Sequence, residues 1–140
     1  MIKLEMEALP ENVAMARVVA STFIAKFDPT LEQLTEFKTA VSEAVTNAII
    51  HGYGDKRDGE FVTLTLSSDN RKIKAQISDR GIGIEDIEAA KEPLFTTKPE
   101  MERSGLGFTV MESFMDEVEV SSKKDEGTTI TLAKELGEQQ

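Results

Sequence analysis

A glutamate and an asparagine stand four residues apart in the run Ser42-Glu43-Ala44-Val45-Thr46-Asn47. On a helix that spacing puts both on one face, one turn apart, and His51 adds a third polar group on the same side. A carboxylate can accept a proton from an attacking hydroxyl. An amide oxygen is a hard ligand suited to Mg²⁺ beside a phosphate. Asparagine is a poor residue for a helix interior, so its place among Ala44, Val45, Ala48 and Ile49 needs a reason. A solvent-facing polar stripe would also produce this pair.

A second cluster is Asp79-Arg80-Gly81-Ile82-Gly83, directly after an alternating apolar run. Its glycines allow a ligand close to the backbone. An aspartate at a strand end can accept a hydrogen bond from the adenine amino group. Guanine presents a carbonyl oxygen there, so such an aspartate selects ATP over GTP. Ordinary turns use the same residue types. The third cluster, Arg103-Ser104-Gly105-Leu106-Gly107-Phe108, opens a helix, where exposed amides and the helix dipole favour phosphate. In the fourth, Gly127-Thr128-Thr129, Thr128 can hydrogen-bond a base, although β-propensity alone accounts for the threonines. Other nucleotide motifs are missing. There is no G-x-x-x-x-G-K-[ST] loop, and Val110 stands where a dinucleotide fingerprint needs its third glycine. No H-R-D or D-F-G set occurs.

The elements that must position these clusters follow from periodicity. Ile2, Leu4 and Met6 alternate with charges and predict a strand over 2–7. Val13, Ala16, Ala20, Phe23, Ile24 and Phe27 form one helical stripe between Pro10 and Phe27, which Asp28-Pro29 ends. Thr30 with Gln33 is a capping box for a second helix that carries Leu34, Phe37, Val41, Ala44 and Ala48, with Gly52 as its C-terminal cap. Strands are expected at Glu60–Ser68 and Arg71–Ser78 around a Ser68-Asp69-Asn70 turn. A poorly periodic stretch, Glu85–Ser104, leads to a short helix over Leu106–Met115. A last hairpin joins Val118–Ser122 to Thr128–Ala133. The order predicts an α+β two-layer sandwich with helices on one face of a mixed sheet, in a single domain of residues 1–140.

Composition bounds the partners. At 140 residues with 39% hydrophobic and 30% charged residues, the chain suits one soluble domain. No apolar run reaches the roughly 20 residues of a membrane span, and the N-terminus lacks the apolar core of a signal peptide. A net charge of -10 disfavours direct nucleic-acid binding, which relies on neutralising phosphates, and favours protein partners. No cysteine and one histidine exclude a thiolate or multi-histidine metal site. All of this fits the cytoplasm.

Taken together, the order E-x-x-x-N, D-x-G-x-G, loop, G-x-G, G-T resembles the GHKL superfamily of Bergerat-type ATP-binding folds, which includes histidine kinases and the gyrase B subunit. The resemblance covers nearly the whole chain. Ser42–Tyr53, Pro93–Glu100 and Glu102–Gly105 are similar to the sporulation branch of its anti-sigma factors, which are serine-protein kinases.

That resemblance implies specific roles. Glu43 matches the general base and Asn47 the Mg²⁺ ligand. Asp79 matches the adenine-reading aspartate, with Gly81 and Gly83 shaping its pocket and Thr128 near the base. Gly105 and Gly107 match the glycines beneath the phosphates. Residues 94–104 match an ATP lid, in which Lys98 and Arg103 are the expected γ-phosphate contacts. His51, Thr97 and Ser104 complete the expected ATP-binding set. The implied protein is a homodimer that holds a sigma factor of RNA polymerase when ATP is bound. It phosphorylates a serine of an anti-anti-sigma protein. Arg17, on the first helix, is a candidate partner contact. Three other readings share these residues: a stress-response anti-sigma kinase, a histidine-kinase catalytic module and an ATP-gated binding module without phosphotransfer.

Overall fold

The structure, a computed structural model, describes residues 1–53, 60–81, 107–123 and 125–138, with only the backbone for 51–53. Strand β1 (Ile2–Glu7) is followed by helices α1 (Asn12–Ala25) and α2 (Leu31–Asn47). Next come β2 (Phe61–Asp69), β3 (Lys72–Ser78), α3 (Gly107–Phe114), β4 (Glu117–Lys123) and β5 (Gly127–Glu135). The five strands form one sheet in the order β1-β2-β3-β5-β4, and the helices cover one of its faces.

A mixed sheet was expected, but among the described residues every pairing is antiparallel. The reason lies in the connections. Two helices intervene between β1 and β2, so the chain runs out along α1 and back along α2. It re-enters the sheet at the end where β1 left it, which forces the reverse direction. This has a consequence for function. The end of α2, the end of β3 and the beginning of β5 all fall at the same end of the sandwich.

Burial follows the two periods. On α1 the buried residues are Ala16, Ala20, Phe23 and Ile24. On α2 they include Phe37, Ala40, Val41, Ala44 and Val45. Small residues on both helices let α1 and α2 approach closely across their ridges. The inward faces of β2 and β3 are Val62, Leu64, Leu66 and Ile73, Ala75, Ile77, all at 1% exposure or less. Among the described residues no helix is long and apolar enough to cross a membrane.

The capping box at α2 is complete. Thr30 Oγ1 accepts from the Gln33 amide at 3.0 Å, and Gln33 Oε1 accepts from the Thr30 amide at 2.9 Å. Asp28, with φ 53°, turns the chain between the helices. Two boundaries differ from expectation. Gly52 does not cap α2, because the chain continues through a π-helical turn over Ala48–Tyr53, in which amides reach back five residues. The β2–β3 turn sits one residue later than expected. Asp69 still pairs with Lys72, and Asn70, with φ 55°, takes the left-handed position, which asparagine tolerates better than most residues.

Replacing Thr30 with alanine removes half of the capping box and leaves the Gln33 amide without its partner. A loss of about 1 kcal/mol is expected, read as a lower urea midpoint at unchanged slope. An unchanged midpoint would mean the cap carries no stability.

Candidate functional site

Asp79 follows β3 at the shared end of the sandwich. It is only 7% exposed, and β3 delivers it there because the strand's inward residues, Ile73, Ala75 and Ile77, share its face in period two. The carboxylate is held by the chain that follows: the Gly81 amide donates to Asp79 Oδ1 at 2.8 Å. The Asp79 amide in turn donates to the Thr128 carbonyl at 2.9 Å. Burial pushes the carboxyl group up to about 6, and the Gly81 and Thr128 amides only partly offset this. A carboxylate kept away from water with so little compensation suits a ligand that supplies a donor.

Thr128 lies beside it on β5, buried at 5% exposure. Its hydroxyl is 2.7 Å from Ser122 Oγ on β4. Ser122 also donates to the Gly127 carbonyl at 3.1 Å. Gly127 explains why β3 and β5 can meet so closely here. A methyl group on it would lie 2.2 Å from the Asp79 carbonyl oxygen and 2.7 Å from the Arg80 Cα, and its φ is 100°. Only glycine fits both the space and the backbone. The Gly-Thr pair is visible in the sequence, but the reason for the glycine is a long-range contact that no local pattern carries. Ser122, in an ordinary alternating strand, gives no signal at all.

The second half of the site is on the helices. Glu43 and Asn47 are both half-buried on α2, one turn apart as expected. Helix α3 packs along α2 and begins at Gly107. A methyl group on Gly107 would sit 3.4 Å from Glu43 Oε2, so the start of α3 lies directly against the carboxylate. Helix-start amides that attract an anion are thus beside a group that can take a proton. Ser42, buried next to Glu43, accepts a 2.7 Å hydrogen bond from Arg17 Nη2. Arg17 is therefore tied back to α2 as well as exposed on α1.

The structure thus brings Asp79, Gly81 and Thr128 together at one point and Glu43, Asn47 and Gly107 at another, at the same end of the fold. The side chain of His51 lies outside the described residues, as do Gly83, Gly105, the segment 94–104 and within it Thr97, Lys98, Arg103 and Ser104. Among the described residues no three acidic or histidine side chains gather into a metal cage. The Asn47 amide is a hard oxygen donor on the half-buried face of α2. It fits a Mg²⁺ that takes most of its ligands from phosphate and water.

The histidine kinase-like ATPase domain family matches residues 6–134. The chain is 55% identical over 134 residues to the anti-sigma F factor of Bacillus velezensis, covering 95% of this chain and 90% of that relative. It is 54% identical over 134 residues to the anti-sigma F factor of Bacillus subtilis, with the same coverage. Among solved structures it is similar to the RsbU and RsbW domains of a Mycobacterium tuberculosis protein, with a TM-score of 0.61 and 21% identity, covering 97% of this chain and 33% of that one. The catalytic domain of the histidine kinase ThkA gives a TM-score of 0.58 at 18% identity, covering 97% of both chains. These last two share the fold. The chain belongs to the histidine kinase-like ATPase domain family, on its anti-sigma factor branch.

Two outcomes follow from the site's geometry. Gly127→Ala forces β5 away from Asp79 and should lower the thermal midpoint by several degrees, as steric overlap in a packed site costs about 1–3 kcal/mol. A midpoint within one degree of wild type would show that the two strands have slack there. Asp79 contributes an opposing effect. Its carboxyl group binds a proton more tightly folded than unfolded. Its stabilisation is therefore complete below about pH 4 and is lost as pH rises through about 6. At neutral pH the folded protein bears a cost of about 3 kcal/mol for it. Asp79→Asn should then raise the stability of the ligand-free protein at pH 7.5 and flatten its pH dependence between 4 and 7. Equal denaturation curves for the two proteins at pH 7.5 would contradict this.

Proposed function

We propose that this chain is a cytoplasmic anti-sigma factor and ATP-dependent serine-protein kinase, built as one domain over residues 1–140. In this reading it binds Mg-ATP, and as a homodimer it sequesters a sporulation sigma factor of RNA polymerase. It phosphorylates a serine of the anti-anti-sigma protein that would release that sigma factor. The observation that carries the reading is Glu43 Oε2 lying against Gly107, where α3 begins. The 54–55% identity to anti-sigma F factors supports the choice of partners.

The residues divide the work as follows. Asp79 accepts the adenine amino hydrogen, with Gly81 fixing its carboxylate and Thr128 beside the base. The α3 amides from Gly107 onward face the phosphates, where the helix dipole favours negative charge. Asn47 would hold Mg²⁺, which neutralises phosphate charge when bound. The serine hydroxyl of the partner attacks the γ-phosphorus as Glu43 takes its proton. The bond from the γ-phosphorus to the bridging oxygen breaks, and ADP leaves with that oxygen. In this scheme Glu43 touches no part of the base, so it serves chemistry rather than binding. An acidic protein of this kind blocks transcription by holding a protein and needs no DNA contact.

Replacing Glu43 with glutamine should slow serine phosphorylation by a factor of about 10² to 10⁴ and leave ATP affinity and the sigma-factor complex in place. Asn47→Ala should instead weaken Mg-ATP binding itself. Phosphorylation by Glu43→Gln at the wild-type rate would remove Glu43 as the base. Tight ATP binding with no phosphorylation by the wild type would favour an ATP-gated binding module.

A further inference from the structure

Four polar or charged residues are buried among the described ones: Ser42, Asp79, Thr128 and Lys134. The first three belong to the site end of the fold. Lys134 does not. It occupies an inward position of β5, in step with Ile130 and Leu132, where an apolar side chain would be expected. A buried ammonium group is costly unless it is paired and hydrogen-bonded. Lys134 Nζ donates to the carbonyl of Phe114 at 2.6 Å and lies 3.3 Å from Glu36 Oε1. Phe114 is the last residue of α3, and Glu36 is on α2. The amine therefore joins the C-terminus of α3, which carries the negative end of its dipole, to α2 and to the sheet.

The spacing gives this clamp a meaning. Glu36 and Glu43 are seven residues apart on α2, and Phe114 and Gly107 are seven residues apart on α3. Seven residues are close to two helical turns, about 10 Å, and return to the same face. The two helices thus meet at two points two turns apart: Glu43 against Gly107 at one end, and Glu36, Lys134 and the Phe114 carbonyl at the other. Helices are stiff over this length. A slip of α3 along α2 at the Lys134 end would reappear at Gly107 as the same slip relative to Glu43.

We propose that Lys134 is a positioning residue that sets the register of α3 against α2, and so places the helix-start amides at Gly107 relative to the Glu43 carboxylate. Lys134 acts from the far end of α3 and touches no substrate. The proposal rests on Glu43 acting as the base at Gly107, as argued above, and it deepens that reading.

The test compares the full-length wild type, Lys134→Met, and the double variant Glu36→Met with Lys134→Met. Methionine keeps the stem volume, and replacing both charges with apolar groups restores stability without restoring the clamp. The readouts are kcat and the ATP KM for phosphorylation of the anti-anti-sigma protein, urea stability, and the Gly107 amide resonance in ¹⁵N-labelled protein. We expect kcat to fall roughly tenfold to a hundredfold in both variants, with the ATP KM within about threefold. The Gly107 resonance should move in both, including the double variant that has regained stability. If the double variant regains wild-type kcat and the wild-type Gly107 resonance together with its stability, Lys134 is only a buried structural pair and the proposal is overturned. If Lys134→Met fails to fold, the double variant alone decides on the same criteria. A wild type that transfers no phosphate would overturn the kinase reading instead, and the Gly107 resonance would still decide whether Lys134 sets the register.

Discussion

The carboxylate of Asp79 is buried where β3 ends, and much of this structure is arranged around that fact. The strand must stop at the open end of the sheet, and β5 must begin beside it with its backbone close enough for the Asp79 amide to reach the Thr128 carbonyl. That approach in turn requires a glycine at 127. The Gly81 amide and the Thr128 amide offset its burial only in part, and its pKa is pushed up to about 6. A protein selected only for stability would not keep such a group. On the proposed function the missing compensation is the adenine amino hydrogen, and the cost to the ligand-free fold is recovered on binding.

On the proposed function the helical layer serves the opposite end of the nucleotide. Helix α2 presents Glu43 and Asn47, and α3 brings its first amides against Glu43. The described part of α3 is eight residues long, too few for a stable isolated helix. Its position comes from packing on α2 and from the anchoring of its C-terminus by Lys134 and of the following Asp116 amide by the Ala133 carbonyl. The sheet therefore fixes both sites: β3 and β5 hold Asp79 and Thr128 at one end, and β5 reaches α3 from its other end. On the proposed function, base recognition and phosphate placement both depend on a single strand, β5.

Much of this was legible in the sequence. The stripe of Phe37, Val41, Ala44 and Ala48 gave α2, and the Thr30–Gln33 box gave its start, because helix signals are local. The four clusters, read in order, gave the family, and the family gave the fold. What could not be read were features set by contacts distant in sequence. The antiparallel sense of the sheet depends on counting helices in the connections. Gly52 looked like a cap, but the chain winds on through a π-helical turn that lies against β5. Arg17 offered a solvent-exposed charge, yet its guanidinium reaches the buried Ser42 hydroxyl. Lys134 carried no signal, because the expected strand ended at Ala133, whereas β5 runs on to Glu135 and turns the lysine inward.

The central claim is that Asp79 is a buried acceptor kept for a purine amino group. Calorimetric titration of the wild-type protein with Mg-ATP and with Mg-GTP, side by side at pH 7.5, tests it most directly. ATP and GTP share the ribose and phosphates and differ at the base, where adenine offers an amino donor and guanine a carbonyl acceptor. A buried site built for one hydrogen-bonding partner can reject the other by several orders of magnitude. The account predicts saturable binding of ATP and none of GTP at the same concentrations. Equal affinities for the two nucleotides would contradict it.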